Sequence, residues 1–170
     1  MKELLDISRE YITAVRLKGA NAAENGVRQI ELAAYLTHCN LQPAHLALTL
    51  NLAMSQAYKG GNFITAAAFA RRILDLPDGK AEFHKMARRV LQKSEQNARN
   101  ELKLNYDERN PFEIDCRELD PIYRGTSLLR CSFCRSAYTC KMKGQLCTTC
   151  NVALVGIETL GLVTQAQSKG

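Results

Sequence analysis

Four cysteines carry the clearest chemistry in the chain. Cys131-x-x-Cys134 is followed after twelve residues by Cys147-x-x-Cys150. Two residues between cysteines let a tight turn aim both sulfurs at one point, and two such turns close a tetrahedron around zinc at about 2.3 Å per bond. Four sulfurs leave no open coordination position, so the metal expected at Cys131, Cys134, Cys147 and Cys150 is one structural Zn2+ rather than a catalytic one. A module of this size has too little core to fold alone, and zinc, worth roughly 10 to 16 kcal/mol in small zinc peptides, supplies the difference. Asn151, directly after the second pair, suits a left-handed turn. Cys140 lies between the pairs as a spare thiol.

The remaining candidates lack such a pattern. His38 and Cys39 adjoin and His45 lies seven residues on, but Pro43 interrupts any shared helix face, so packed or capping side chains are expected there. A nucleophilic Cys39 or Cys116 needs a base that the sequence does not indicate, and both read as buried inert thiols. Gly60-Gly61-Asn62 lacks the Lys-Ser/Thr of a phosphate loop, and Gly156 and Gly161 lack its context. The pairs Arg71-Arg72 and Arg88-Arg89 read as solvated helix faces. No catalytic residue and no enzyme activity is expected.

The elements that position the cysteines follow a long helical stretch. Leu4, Ile7, Tyr11 and Val15, with Leu5 and Ile12 alongside, give an apolar stripe at helical spacing over residues 3–18. Asn21 followed by Glu24 fits a capping box, which predicts a second helix from Ala22 to about His38. Pro43 opens a third, with Leu46, Leu50, Ala53, Met54 and Ala57 on one face and Gly60-Gly61 at its end. Phe63, Ala66, Ala67, Ala70, Ile73 and Leu74 mark a fourth that Pro77 stops. A fifth turns Phe83, Met86, Val90 and Leu91 inward and Arg88, Arg89 and Lys93 outward. Residues 62–77 resemble the second helix of a tetratricopeptide hairpin, but no second copy follows near a period of 34 residues, so the segment reads as an ordinary packed hairpin.

The expected fold is mainly α, with antiparallel helical hairpins in an α-solenoid-like layout over residues 1–100, an irregular strap, and a small β zinc ribbon. The strap, residues 101–125, is acidic, turn-rich and carries two prolines and three aromatics, too many rings for a flexible linker, so it should lie ordered on the bundle. Residues 126–170 form the ribbon module. At 170 residues, 46% hydrophobic and 24% charged, the chain suits one folded domain plus a small appendage. Seven cysteines, five of them within residues 131–150, suggest metal-site usage in a reducing compartment rather than a disulfide framework. No apolar run reaches the roughly 20 residues of a membrane span.

Within the formal charge of +6, residues 61–100 contribute eight basic and four acidic groups, while the strap has four and seven. Residues 126–170 have five and one, formally +4, which four thiolates and one zinc dication reduce to +2. The charge and the arginine pairs support one alternative reading, a nucleic-acid-binding zinc ribbon whose affinity would fall steeply with salt.

Longer strings go further than spacing. A-A-Y-L-T-H-C-N-L-Q-P-A-H at residues 33–45, N-F-I-T-A-A-A-F-A-R-R-I-L at 62–74, L-N-Y-D-E-R-N-P-F at 104–112 and P-I-Y-R-G at 121–125 together resemble the C-terminal domain of the coatomer (COPI coat) alpha subunit. Tyr138, Lys143-Gly144-Gln145, Cys147 and Val155-Gly156 are similar to the end of that family. The resemblance implies a structural part of the coat on vesicles moving from Golgi to endoplasmic reticulum and within the Golgi. It implies a cytoplasmic chain, peripheral on Golgi membranes, that binds the coatomer epsilon subunit, a tetratricopeptide-type partner, beside other coatomer subunits, with no nucleic acid. Tyr106, Phe112, Ile122 and Tyr123 are the candidate partner-binding residues, because aromatic and apolar side chains on an irregular strap favour interfaces.

Overall fold

Residues 2–77 and 80–157 are described by a computed structural model. Gly161 and the rest of residues 158–170, which complete the expected ribbon module, lie outside the described residues. Five helices come first: α1 (Lys2–Ala23), α2 (Gly26–Leu36), α3 (Pro43–Lys59), α4 (Phe63–Leu74) and α5 (Ala81–Gln96). The chain divides into two compact units, Met1–Pro111 and Phe112–Gly170, with the boundary inside the acidic stretch.

Two expectations for α1 and α2 need correction. Asn21 is no cap: α1 runs through it to Ala23, and α2 begins at Gly26, whose φ of +57° turns the chain where a side chain would strain it. Asn21 is buried instead, donating to the Gln29 carbonyl at 2.6 Å and pairing its amide with that of Gln56 on α3. The face of α1 also differs, because Thr13, Ala14, Leu17 and Asn21 turn inward while Leu4 and Val15 are each 68% exposed. Leu17 and Asn21 lie outside the apolar stripe, and it is their side of the longer helix that is buried.

The core of this unit lies between α2, α3, α4 and α5. Ala53, Ala57, Ala66 and Ala70 have no exposed surface and let the helix backbones approach around Leu50, Met54, Phe69 and Ile73. On α5 the inward residues are Ala87, Val90 and Ser94, with Phe83 and Leu91 packed partly; Met86, expected inside, is exposed. Arg71 is solvated as expected. Arg72 is not, since its guanidinium donates to the Thr37 carbonyl at 2.8 Å and to its hydroxyl at 2.9 Å, closing the C-terminal end of α2.

Residues 99–106 run extended over these helices. Leu102, Leu104 and Tyr106 pack on the core, while the residues between them face out, the alternation of an extended chain. Two side chains on successive turns of α2 catch one residue of this segment: the Tyr35 hydroxyl donates to the Asn105 carbonyl at 2.6 Å, and Glu31 accepts from the Asn105 N–H at 2.6 Å. Asn62, fully buried, binds the N–H and carbonyl of Leu102 in the same way. The leading amides of α4, which no residue of α4 can satisfy, donate to Asn100 Oδ1 and the Arg99 carbonyl.

The second unit is built from short pieces. β1 (Phe112–Ile114) pairs antiparallel with β2 (Pro121–Tyr123), placing Phe112 opposite Tyr123. β3 (Leu129–Arg130) pairs antiparallel with β4 (Ala137–Tyr138), and a 3-10 turn follows at Cys140–Met142. Asp115, fully buried, ties these together by accepting from the N–H groups of Arg117, Glu118 and Thr139 at 2.8 to 3.0 Å. Single bridges join Cys131 to Val155 and Leu146 to Leu154. The buried cluster gathers Cys116, Cys131, Cys134, Tyr138, Met142, Cys147, Ala153 and Val155.

Candidate metal centre

Each cysteine pair sits on a turn of the same design. The N–H of Arg135 donates to the Cys131 carbonyl at 3.0 Å, and that of Asn151 to the Cys147 carbonyl at 3.0 Å. The residue after each pair is left-handed, Arg135 at φ 62° and Asn151 at φ 54°. Asn151 was legible as such a position; Arg135 was not, since arginine has no preference for that region. The first sulfur of each pair faces the backbone amides of the two residues that end the turn, Phe133 and Cys134 for Cys131, Thr149 and Cys150 for Cys147.

The two turns bring all four sulfurs within 4.8 Å of one another. Cys131 Sγ lies 3.7 Å from Cys150 Sγ, and Cys134 Sγ 3.5 Å from Cys147 Sγ. Four Zn–S bonds of about 2.3 Å at tetrahedral angles put neighbouring sulfurs about 3.8 Å apart. The donor set and its spacing therefore fit zinc, with three cysteines buried and Cys150 half-buried.

The electrostatics of the cluster are uneven. Burial pushes the Cys131 and Cys134 thiols up. Burial also opposes the Cys147 thiolate, but the Tyr138 hydroxyl and the amides of Cys150 and Thr149 outweigh it and bring that thiol down to about 6. Tyr138 is fully buried with its hydroxyl 3.1 Å from Cys147 Sγ, 3.1 Å from the Thr148 hydroxyl and 3.2 Å from that of Thr149. Its own ionisation is pushed up to about 12 by burial and by Cys147, so it stays a donor. The Ser136 hydroxyl lies 3.1 Å from Cys134 Sγ. Neither Tyr138 nor Ser136 could be assigned from spacing, because no sequence rule links a hydroxyl between two cysteine turns to a particular sulfur.

The other candidates fall elsewhere. Cys140 is exposed and outside the sulfur cluster, while Cys116 is buried with its Sγ directed to the Ile114 carbonyl. Cys39 is buried in the helical unit. His38 shares a hydrogen bond with the Tyr106 hydroxyl at 2.8 Å, and His45 with that of Tyr11 at 2.7 Å. Among the described residues, no other three His, Cys, Asp or Glu ligand atoms converge as these four do. Tyr106 packs with Tyr35, His38 and Phe69. On the β1–β2 hairpin Ile122 is buried, and the rings of Phe112 and Tyr123 meet edge to face at 5.4 Å, both half-buried.

Comparison with known proteins covers nearly the whole chain. Residues 1–169 match the family described as the C-terminus of the coatomer (COPI) alpha subunit. The chain is 43% identical over 165 residues to coatomer subunit alpha-1 of Arabidopsis thaliana, an alignment covering 96% of this chain and 14% of that protein. It is 40% identical over 172 residues to coatomer subunit alpha of Dictyostelium discoideum, covering 95% and 14%. Against coatomer subunit alpha of Saccharomyces cerevisiae the figure is 30% over 165 residues, covering 94% and 14%. The chain thus spans about 14% of the length of the curated relatives it matches.

Proposed function

Since this chain belongs to the family formed by the C-terminus of the coatomer (COPI) alpha subunit, we propose that it is an interaction domain of the vesicle coat, without enzymatic activity, that binds the coatomer epsilon subunit. The observation that carries this reading is the family match across residues 1–169. Its work is burial of surface rather than chemistry: helices and an ordered extended segment offer a rigid face to a helical partner. Of the strap residues, Phe112 and Tyr123 form the paired ring surface of the hairpin, Ile122 is buried on its opposite face, and Tyr106 anchors the segment to the helices. The setting is the cytoplasm, peripheral on Golgi membranes and COPI-coated vesicles, in traffic from Golgi to endoplasmic reticulum and within the Golgi. Among the described residues no helix is long and apolar enough to cross a membrane.

In this reading one Zn2+ is held by Cys131, Cys134, Cys147 and Cys150 and makes residues 126–170 a zinc ribbon. The ion supplies a cross-link between two turns. The protein supplies the second layer, in which Tyr138 and the turn amides donate to sulfur and Val155 and Met142 close the cluster from water. Co-expression with the epsilon subunit tests the first proposal. A stable one-to-one complex, lost on Phe112→Ala/Tyr123→Ala with the fold intact, is expected; no complex with the parent chain overturns it. Elemental analysis tests the second, with one zinc per chain expected.

A further inference from the structure

Arginines from two separate segments converge on one cavity of the helical unit. It measures about 420 Å³ and is lined by His38, Ala68, Arg71, Arg72, Glu108 and Arg109. Three guanidinium groups and one carboxylate leave a formal excess of two positive charges. Arg72 is preorganised: two of its five N–H donors are spent on Thr37, which fixes the plane of the group and leaves the others to serve a ligand. Arg109 is exposed and makes no ion pair among the described residues, and Arg71 makes only a loose, exposed contact of 3.7 Å with Glu95.

From this geometry we propose that the His38–Arg71–Arg72–Arg109 cavity is a docking site for an acidic peptide segment of a partner protein, whose carboxylates pair with the arginine forks. Three features favour carboxylates over phosphate or a lipid surface. The planar guanidinium fork matches a carboxylate in two parallel hydrogen bonds. Arg71 and Arg72 lie in the last turn of α4, whose dipole is negative there, and Glu108 stands at the same cavity, so the site tolerates singly charged groups better than a dianion. Ala68 is the one apolar lining residue, so nothing here inserts into a bilayer. His38 supplies a built-in reporter. Partial desolvation and the Arg72 charge hold its pKa down to about 4, and an anion seated beside Arg72 offsets that charge and raises it. The site lies within Met1–Pro111 and depends on neither the metal nor the epsilon-subunit reading.

The test uses the full chain and three probes: a fluorescein-labelled hexaglutamate peptide, inorganic phosphate, and vesicles of phosphatidylcholine with phosphatidylserine. Hexaglutamate should bind, with affinity falling as salt rises and the His38 ring resonances shifting. Arg71→Glu/Arg109→Glu, both on exposed side chains, should weaken binding about tenfold with an unchanged thermal midpoint. Glu108→Gln should strengthen it about threefold, a gain that misfolding cannot produce. Arg88→Glu/Arg89→Glu, on the exposed side of α5 and outside the cavity, should leave it unchanged. Absence of hexaglutamate binding overturns the proposal, as does equal loss in the Arg88/Arg89 variant, which would mean attraction to overall charge. Binding of phosphate or vesicles without the peptide overturns it as well.

Discussion

The Tyr138 hydroxyl donates to Cys147 Sγ from 3.1 Å inside a fully buried pocket, and it does so from the strand that precedes the second cysteine turn. Sulfur that bears negative charge gains from a donor in such a place, because no water competes for it. The Thr148 and Thr149 hydroxyls stand within 3.2 Å of the same phenol oxygen and keep it oriented.

Tyr138→Phe keeps the ring and removes the donor. Zinc affinity should fall about tenfold to a hundredfold, the range for loss of a group that supports a metal ligand. Competition against a chromogenic chelator measures it, and unaltered affinity would contradict the support assigned to Tyr138.

Removing the metal should unfold one unit and spare the other. With a strong chelator, or in Cys134→Ser, residues 112–157 should lose protection in amide hydrogen exchange, while α2 to α4, which have their own core, keep it. Uniform loss across both units would speak against separate cores.

The ligand thiols must shed protons to bind metal, so zinc should leave as pH falls. The Cys147 thiol is brought down to about 6 while burial holds Cys131 and Cys134 up, so a zinc ion bound there, and not the protein, would be the agent that deprotonates those two. Zinc release followed by dye during acid titration is expected to be cooperative, with the metal and the second unit's fold lost together.

His38 gives the helical unit its own pH dependence. Its folded value of about 4 lies below the ordinary 6.5, so between those limits the unfolded chain takes up the proton first and stability is lost as pH falls. The neighbours that face it are Arg72, Arg71, Arg109, Glu108 and the Tyr106 hydroxyl. His38→Gln should flatten the fall in thermal midpoint from pH 6.5 to pH 4, the carboxylates contributing equally in both proteins.

Tyr35→Phe removes a hydroxyl whose partner is the Asn105 carbonyl, and Asn62→Ala removes both contacts to Leu102. Losses of about 1 kcal/mol and about 2–3 kcal/mol are expected in denaturant titrations, the second larger because two backbone groups lose their partners.

Residues whose role is local were legible in the sequence. Pro43 opens α3 as its missing N–H suggests, Gly60-Gly61 ends it, and the cysteine spacing brings four sulfurs together. Roles set by distant partners were not. Asn21 has the side chain of a cap, but an amide can equally join two helices, and only the approach of Gln56 decides which. The apolar stripe of α1 was visible, yet which side is buried depends on where α2 crosses it, so Leu4 and Val15 end in solvent. Arg72 looks like any surface arginine until Thr37 is beside it.

The N-terminal amides of α4 find their acceptors at Arg99 and Asn100, some 35 residues later in the chain. During synthesis, therefore, α4 emerges from the ribosome with its first turn hydrated, and the hairpin of α4 and α5 locks only once the residues beyond α5 have followed. A pause in translation before that point would leave a helical intermediate that cannot finish its own start.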